Sequence, residues 1–528
     1  MDLHSPRPGV LTVILIALCL IACPRRATGF DYAEVERAIQ EKNFAEAQKE
    51  LESHIQAVPT DYRAYMLLGI VLDEENRPDD AKRNLLRAVQ LQPQSASAHI
   101  NLGKHEARVG DLAHAIEEFE VAIRLAPDDP AGHTNLGLVL TAQGKTAQAV
   151  AHFQRVADVA PRDPAVWLNL FKCQLSLKQF AAADTSARRI QSLTTPSAEL
   201  FGRLGAMQAQ AGDYAGAVEN LGRSVALDSH TFETRYNLGL AYYRAGNASR
   251  ATQVLEALAK ERENAEVENL LGEVYEHTGE SLPAARAFQK AAQIEPSSEA
   301  YRFDFIQELL AHRNFEAAIL EGTPALRDFP ESSRIALALG SAYFGGGHER
   351  ESLGVFLAAA KKFPDQELPL FFLCLAADTT GMRLAEAEAL AEAYMQRHPD
   401  YYWPSYFLGH RAYLAARDSG SEEGLKRAGD LLLQSIILND RYPESHLDMG
   451  NVYVRTDQWG QAIKEYQKAI QLEPDLAEAH FRLAQAYAQT GDAARAQTEM
   501  EIHKRLLAQQ TEKDMSRRVD VFVYKLSH

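Results

Sequence analysis

Apolar residues stand at helical spacing through nearly the whole chain, and the same stretch of pattern returns about every 34 residues. In Tyr62 to Ser95, residues Tyr65, Leu68, Gly69 and Leu72 fall at i, i+3, i+4 and i+7, the stripe of an amphipathic helix. Glu75-Asn76-Arg77-Pro78 breaks the stripe. Asp79 or Asp80 then offers a cap for a second helix, whose face carries Ala81, Leu85, Ala88 and Leu91. Pro93 ends that helix, because proline cannot continue the backbone ladder. The pattern predicts a helix–turn–helix unit.

The unit recurs. Its Leu-Gly pair, or a relic of it, stands at Leu68-Gly69, Leu102-Gly103, Leu136-Gly137, Leu170-Phe171, Leu204-Gly205, Leu238-Gly239, Leu271-Gly272, Phe305-Ile306, Leu339-Gly340, Leu373-Cys374, Leu408-Gly409, Met449-Gly450 and Leu483-Ala484. The steps are 34, 34, 34, 34, 34, 33, 34, 34, 34, 35, 41 and 34 residues. Such a period predicts stacked units, each burying its apolar face only against its neighbours. The small residues carry the packing argument. Gly69 and Ala81 lack bulk where two antiparallel helices come closest, and Ala88 does the same for the next unit. The alanine returns as Ala115, Ala149, Ala183, Ala217, Ala251, Ala318, Ala462 and Ala496. An aromatic slot follows at Phe119, Phe153, Phe288, Phe356 and Tyr466, and a closing proline at Pro59, Pro127, Pro161, Pro296, Pro330, Pro364, Pro399 and Pro474, among others.

Leu-Gly, Tyr, Ala, Phe or Tyr, Ala and a closing Pro in this order resemble the tetratricopeptide repeat (TPR) family. The resemblance implies an all-α, right-handed superhelical solenoid of about 14 units. It covers residues 30–505, counting a degenerate first unit from Phe30 to about Thr60 that keeps Ala47, Leu51 and Pro59. The 41-residue step places an insertion near 415–424, AARDSGSEEG, expected as a longer turn between helices. Residues 506–528 are expected to form a capping helix and a tail, with His503 to Lys513 continuing helically. Val519 to Tyr524 alternates in part like a strand but has no partner strand in the sequence.

In this family the first helix of each repeat lines a groove that binds extended peptides or partner helices. The resemblance places Asn101, Asn135, Asn169 and Asn237 at equivalent groove positions, two residues before the glycine slot. An asparagine offers a donor and an acceptor, so it can pair with a peptide backbone of any sequence. The row resembles the groove of the O-linked N-acetylglucosamine transferase repeat array, with no glycosyltransferase part expected here. Lys104, Arg108, Lys172 and Arg244 are expected on the same face, which resembles a co-chaperone carboxylate clamp without its full residue order. Partners are therefore expected to be proteins or peptides, with self-association through the terminal repeats open. His99, His133, His446 and His480 share the first aromatic position of their repeats and are read as half-buried aromatic substitutes, not as metal ligands.

Charge and chemistry narrow the function further. The 528 residues carry 55 basic and 72 acidic side chains, a net charge of −17, which repels phosphate backbones and argues against nucleic acid as a partner. There is no HExxH, GxSxG or GxxxxGK[ST] motif, no strand-bound GxGxxG and no CxxC metal spacing. No enzyme, cofactor or metal is expected. Cys173 and Cys374 are read as small buried hydrophobes about six repeats apart. Asn247-Ala248-Ser249 fits a glycosylation acceptor in a eukaryotic secretory context.

Residues 1–29 read as an address. Val10 to Cys23, VLTVILIALCLIAC, is short for a membrane-spanning helix and suits a signal peptide, with Arg7 ahead of it. Leu20-Ile21-Ala22-Cys23 resembles a bacterial lipobox, which makes Cys23 the candidate lipidation site. Cleavage near Ala27 and a retained anchor are the alternatives. The expected function is a non-catalytic interaction scaffold, exported to the periplasm or cell envelope, touching a membrane only through its N-terminal segment. An accessory subunit of a polysaccharide-export or outer-membrane assembly machine, and a cytoplasm-facing anchored scaffold, are the alternative readings.

Overall fold

The computed structural model describes residues 30–510 and Leu526. The apolar run Val10 to Cys23, with the candidate lipidation site, and the segment Val519 to Tyr524 lie outside the described residues. Among the described residues the chain forms 28 α-helices and no strand. They pair into 14 helix–turn–helix repeats, from Tyr32–Gln40 with Phe44–Ala57 to Ala477–Gln489 with Ala493–Gln510. The chain divides after Leu258 into two compact units.

Helix starts follow capping chemistry. Most first helices begin on a side-chain cap: Asp129 accepts from the amide of Ala131, Asp163 from Ala165, and Ser298 from Tyr301. Second helices depart from the expectation drawn from Asp79 and Asp80. Helix Pro78–Leu91 already starts at Pro78, with Arg77 at the cap and no side-chain cap bond. Proline is pre-set for the first helical position, so Asp79 and Asp80 fall in the first turn, where carboxylates favour the helix dipole. The turn inside a repeat needs one left-handed residue, supplied by Gly110 or Gly144 in some repeats and by Asn76 or Lys178 in others.

The glycine of the Leu-Gly pair sets how closely the two helices of a repeat approach. A Cβ placed on Gly103 would stand 2.7 Å from the Phe119 ring, on Gly137 2.8 Å from Phe153, and on Gly272 2.6 Å from Phe288. Those distances lie inside van der Waals contact, so the aromatic side chain occupies the volume that the glycine leaves. Two relics of the pair are volume exchanges. Where Phe171 replaces the glycine, Ala187 stands sixteen residues on in place of the aromatic; both are buried in one cluster. Where Ile306 replaces it, the partner position is Gly322.

The insertion obeys the same rule. Residues 415–424 do not form a longer turn. They lengthen both helices, Trp403–Ser419 and Glu422–Leu438, to 17 residues each around left-handed Gly420. The partner of Gly409 becomes Leu432, twenty-three residues on instead of sixteen. Extending two paired helices by a turn adds hydrogen-bonded backbone, whereas an irregular loop would leave polar groups to find other partners.

First helices of successive repeats also touch one another. In the first unit Ala96–Arg108 lies against both Tyr62–Glu74 and Pro130–Ala142; in the second, Ser333–Gly345 lies against both Glu299–Ala311 and Glu367–Thr380. Second helices approach in this way more rarely, as Glu349–Lys362 does with Leu384–Arg397. The first helices therefore form the inner face of each unit. No helix among the described residues is long and apolar enough to cross a membrane.

The glycine contact makes a measurable prediction. Gly137→Ala should cost about 1–3 kcal/mol by overpacking, and Phe153→Ala about 3–5 kcal/mol by cavity formation. The double variant should lose less than the sum, by about 1 kcal/mol or more. Urea unfolding of the four proteins reads this coupling, and strict additivity would show that the two side chains do not share one volume.

Candidate functional site

The inner face of the first unit is polar. Asn101, Asn135 and Asn169 stand at one register on three successive first helices, Ala96–Arg108, Pro130–Ala142 and Pro164–Ser176. Each is half-buried. The amide nitrogen of Asn101 donates to the Ser97 carbonyl at 2.9 Å, and that of Asn135 to the Ala131 carbonyl at 2.8 Å. One donor is thus spent on the helix itself, which holds the side chain in a single orientation and leaves the amide oxygen and a second N–H for a ligand. Asn237 holds the same position in Phe232–Arg244, but Arg203 occupies the register between it and Asn169. The row is three asparagines, an arginine, then a fourth asparagine.

The basic candidates divide. Arg108 turns back to the preceding repeat, donating to the Asp73 carbonyl at 2.6 Å and pairing with Glu74 at 2.6 Å. It tethers two repeats. Lys104 is half-buried on the same helix, and Lys172 is exposed beside Asn169. Arg244 is exposed at the end of its helix, its guanidinium 5.4 Å from the Tyr243 ring. Asn101, Lys104, Asn135, Asn169 and Lys172 therefore share the inner face, while Arg108 joins repeats and Arg244 lies at a helix terminus.

The four histidines of the first aromatic position act as joints. His99, His446 and His480 direct Nε2 at a carbonyl six residues upstream, on Pro93, Asp440 and Pro474, at 3.0 to 3.1 Å. Their Nδ1 atoms lie 2.6 Å from Glu118, Glu465 and Glu499 on the second helix. His133 reaches the Pro127 carbonyl at 3.2 Å and His152 at 3.0 Å, and Trp167 donates to the Pro161 carbonyl at 3.0 Å from the same register. Each ring binds a loop carbonyl and closes the turn onto the next repeat, and at Pro161 Arg189 donates to the same carbonyl at 3.3 Å.

The second unit has a different inner face. At the asparagine register three successive helices here carry buried Ala338, Phe372 and Phe407, flanked by Asp304 and Asp448 on the helices before and after, and the Phe371 and Trp403 rings lie 4.7 Å apart beside them. Tyr442 packs 5.2 Å from Tyr402 and 4.8 Å from Tyr406. A buried polar chain crosses this aromatic mass. His410 lies 2.7 Å from Asp448 and 3.8 Å from Asp378; Asn451 donates to Asp448 at 3.2 Å, and the Tyr466 hydroxyl donates to Asn451 at 2.9 Å. Burial pulls the His410 imidazole down, but the hydrogen bond and charge of Asp448, with Asp378 beyond, outweigh it and the net shift is upward. Glu444 sits at the start of Pro443–Arg455 with Oε2 buried and without a hydrogen-bond partner among the described residues. Burial, reinforced by the charges of Glu473 and Asp448, pushes its carboxyl up to about 6. The His410 contacts do not announce themselves in the sequence, because Asp378 and Asp448 lie 32 and 38 positions away in neighbouring repeats.

Family models match along the chain. A model described as TPR repeat matches residues 450–491; one described as Tetratricopeptide repeat matches 72–130 and 303–367; another of that description matches 38–99, 140–193 and 208–274. No curated protein matches. Among solved structures, yeast Tom70 aligns at 17% identity over 82% of this chain and 95% of its own, with a TM-score of 0.36. Cut9 in the APC/C heterotetramer Cut9–Hcn1 aligns at 14% identity over 86% and 95%, with a TM-score of 0.33. Pseudomonas aeruginosa pilF aligns at 19% identity over 38% and 92%, with a TM-score of 0.33.

Glu444 yields a pH prediction. Its folded-state pKa near 6 lies above the ordinary carboxyl value, so the native state takes up the proton first as pH falls. The stability of this site is full below about pH 4.5 and is lost as pH rises through about 6. Glu444→Gln should therefore stabilise the protein at pH 7.5 by on the order of 2 kcal/mol and change little at pH 4.5. Equal effects at both pH values in urea unfolding would show that the carboxyl is not desolvated.

Proposed function

This chain belongs to the tetratricopeptide repeat family, and from that premise we propose that it is a protein-interaction scaffold that holds an extended peptide segment of its partner along the inner face of its first unit. Asn101, Asn135 and Asn169 pair with the partner's backbone amides, and Lys104 and Lys172 select for acidic side chains beside them. Recognition proceeds without covalent chemistry. Affinity comes from a few oriented groups on a rigid surface, because pre-ordered side chains lose little entropy on binding. The observation that carries this reading is the shared register and half-burial of the three asparagines, two of them locked by a hydrogen bond to their own helix.

The working place we propose is the cell envelope, with Cys23 as the attachment point to a membrane. Support comes from the apolar run Val10 to Cys23 and its Leu20-Ile21-Ala22-Cys23 end. Two acyl signals are needed for stable anchoring, as a lipobox cysteine would supply.

Two experiments test these statements. Asn101→Ala, Asn135→Ala and Asn169→Ala together should remove a crosslinked partner, with affinity falling by about two orders of magnitude at roughly 1 kcal/mol per lost hydrogen bond. The helical circular dichroism should be unchanged, since each mutated side chain serves no neighbouring repeat. Equal recovery of every partner by the triple variant would sink the groove reading. For the address, Cys23→Ala should move the protein from the membrane fraction to the soluble fraction; unchanged fractionation would remove Cys23 as the anchor.

A further inference from the structure

We propose that the inner face of the second unit is occupied by the chain's own C-terminal segment, residues 519–526, as an internal ligand that any external apolar peptide must displace. The proposal rests on the reading that inner helices bind extended segments, and not on the asparagine row. Three observations lead to it.

The first is a contact. Leu526 is half-buried and packs against two hydrophobic clusters of the second unit. The helix Ser333–Gly345 contributes to both, giving Ala338 and Ala342 to one and Leu337 and Phe344 to the other. It touches the first helices on either side of it, Glu299–Ala311 and Glu367–Thr380. The residue is therefore seated four repeats back along the array from the helix Ala493–Gln510 that precedes it.

The second is chemistry. The segment Val519-Asp520-Val521-Phe522-Val523-Tyr524-Lys525-Leu526 carries six apolar or aromatic side chains in eight. The clusters that Leu526 touches are apolar and aromatic, with Phe303, Leu337 and Trp403 buried in them and Phe371 half-buried. The alternating sequence Val519 to Tyr524 finds no partner strand among the described residues, all of whose regular structure is helical. An apolar surface of this kind is the complement that such a segment lacks, and leaving either in water carries the hydrophobic cost.

The third is reach. Fifteen residues separate Gln510 from Leu526. At about 3.3–3.6 Å per residue they span up to roughly 55 Å. Four steps between packed helices at about 8–10 Å each need roughly 40 Å. The connection closes within one chain without moving any helix. Because tethering raises the effective concentration of a linked segment, a segment of only modest intrinsic affinity stays bound, and a competing peptide sees a weakened site.

The test uses the full chain and a labelled synthetic peptide of residues 519–526. Phe522→Asp with Leu526→Asp frees the inner face without altering any residue of the helical array, so the variant keeps its fold. Fluorescence anisotropy should show the peptide binding this variant at least about tenfold more tightly than it binds the unmodified protein. Hydrogen exchange in Ser333–Gly345 should be faster in the variant and return to the unmodified rate on adding peptide. Equal affinity for both proteins, including no binding to either, would overturn the proposal, as would unchanged exchange. Protection that falls on dilution of the unmodified protein would mean that the segment seats in a second copy, which also overturns it. Neither readout involves Asn101, Asn135 or Asn169, so failure here leaves the groove of the first unit to its own test.

Discussion

The structure depends on one steric constraint: the absence of a side chain where the two helices of a repeat cross. A Cβ at Gly103, Gly137 or Gly272 would overlap the aromatic ring opposite it. The ring can be large because the glycine is small, and the pair behaves as one volume shared between two helices. This explains why the repeats tolerate the loss of their most regular feature. Phe171 with Ala187 and Ile306 with Gly322 conserve the volume while exchanging its owner. The insertion in the twelfth repeat keeps the pair too, by growing both helices until Leu432 comes to stand opposite Gly409.

With the interhelical distance set by those pairs, the rest of each repeat serves its neighbours. The ring at the first aromatic position, histidine or tryptophan, fastens the preceding proline turn by its carbonyl. Arg108 performs a similar service over a longer reach. These links leave the first helices side by side, and the same register position is presented again on each of them. A repeated surface of this kind is well matched to an extended segment, whose own backbone repeats.

The two units spend that register differently. Asparagine in the first unit offers hydrogen bonds that any peptide backbone can accept. Ala338, Phe372 and Phe407 in the second are buried and give that register to the core. The polar chain from His410 to Tyr466 and the strained protonation of Glu444 lie inside the second surface, where low dielectric magnifies the cost of any unpaired charge.

By itself the sequence determined the helical repeat, its 34-residue period and the register of the asparagine row, because a stack of like units writes the same local packing demand at every turn. It also marked the small and aromatic positions, since steric exclusion acts between residues a fixed sixteen apart. Tertiary structure decided what was not periodic. It turned the residues at 415–424 into longer helices instead of a loop, sent Arg108 to Glu74 and away from the groove, and moved the second-helix start to Pro78. It brought His410, Asp448 and Tyr466 into one buried chain and left Glu444 desolvated. Arg108 and His410 find their partners in neighbouring repeats, and no single repeat contains the groups that compete for them.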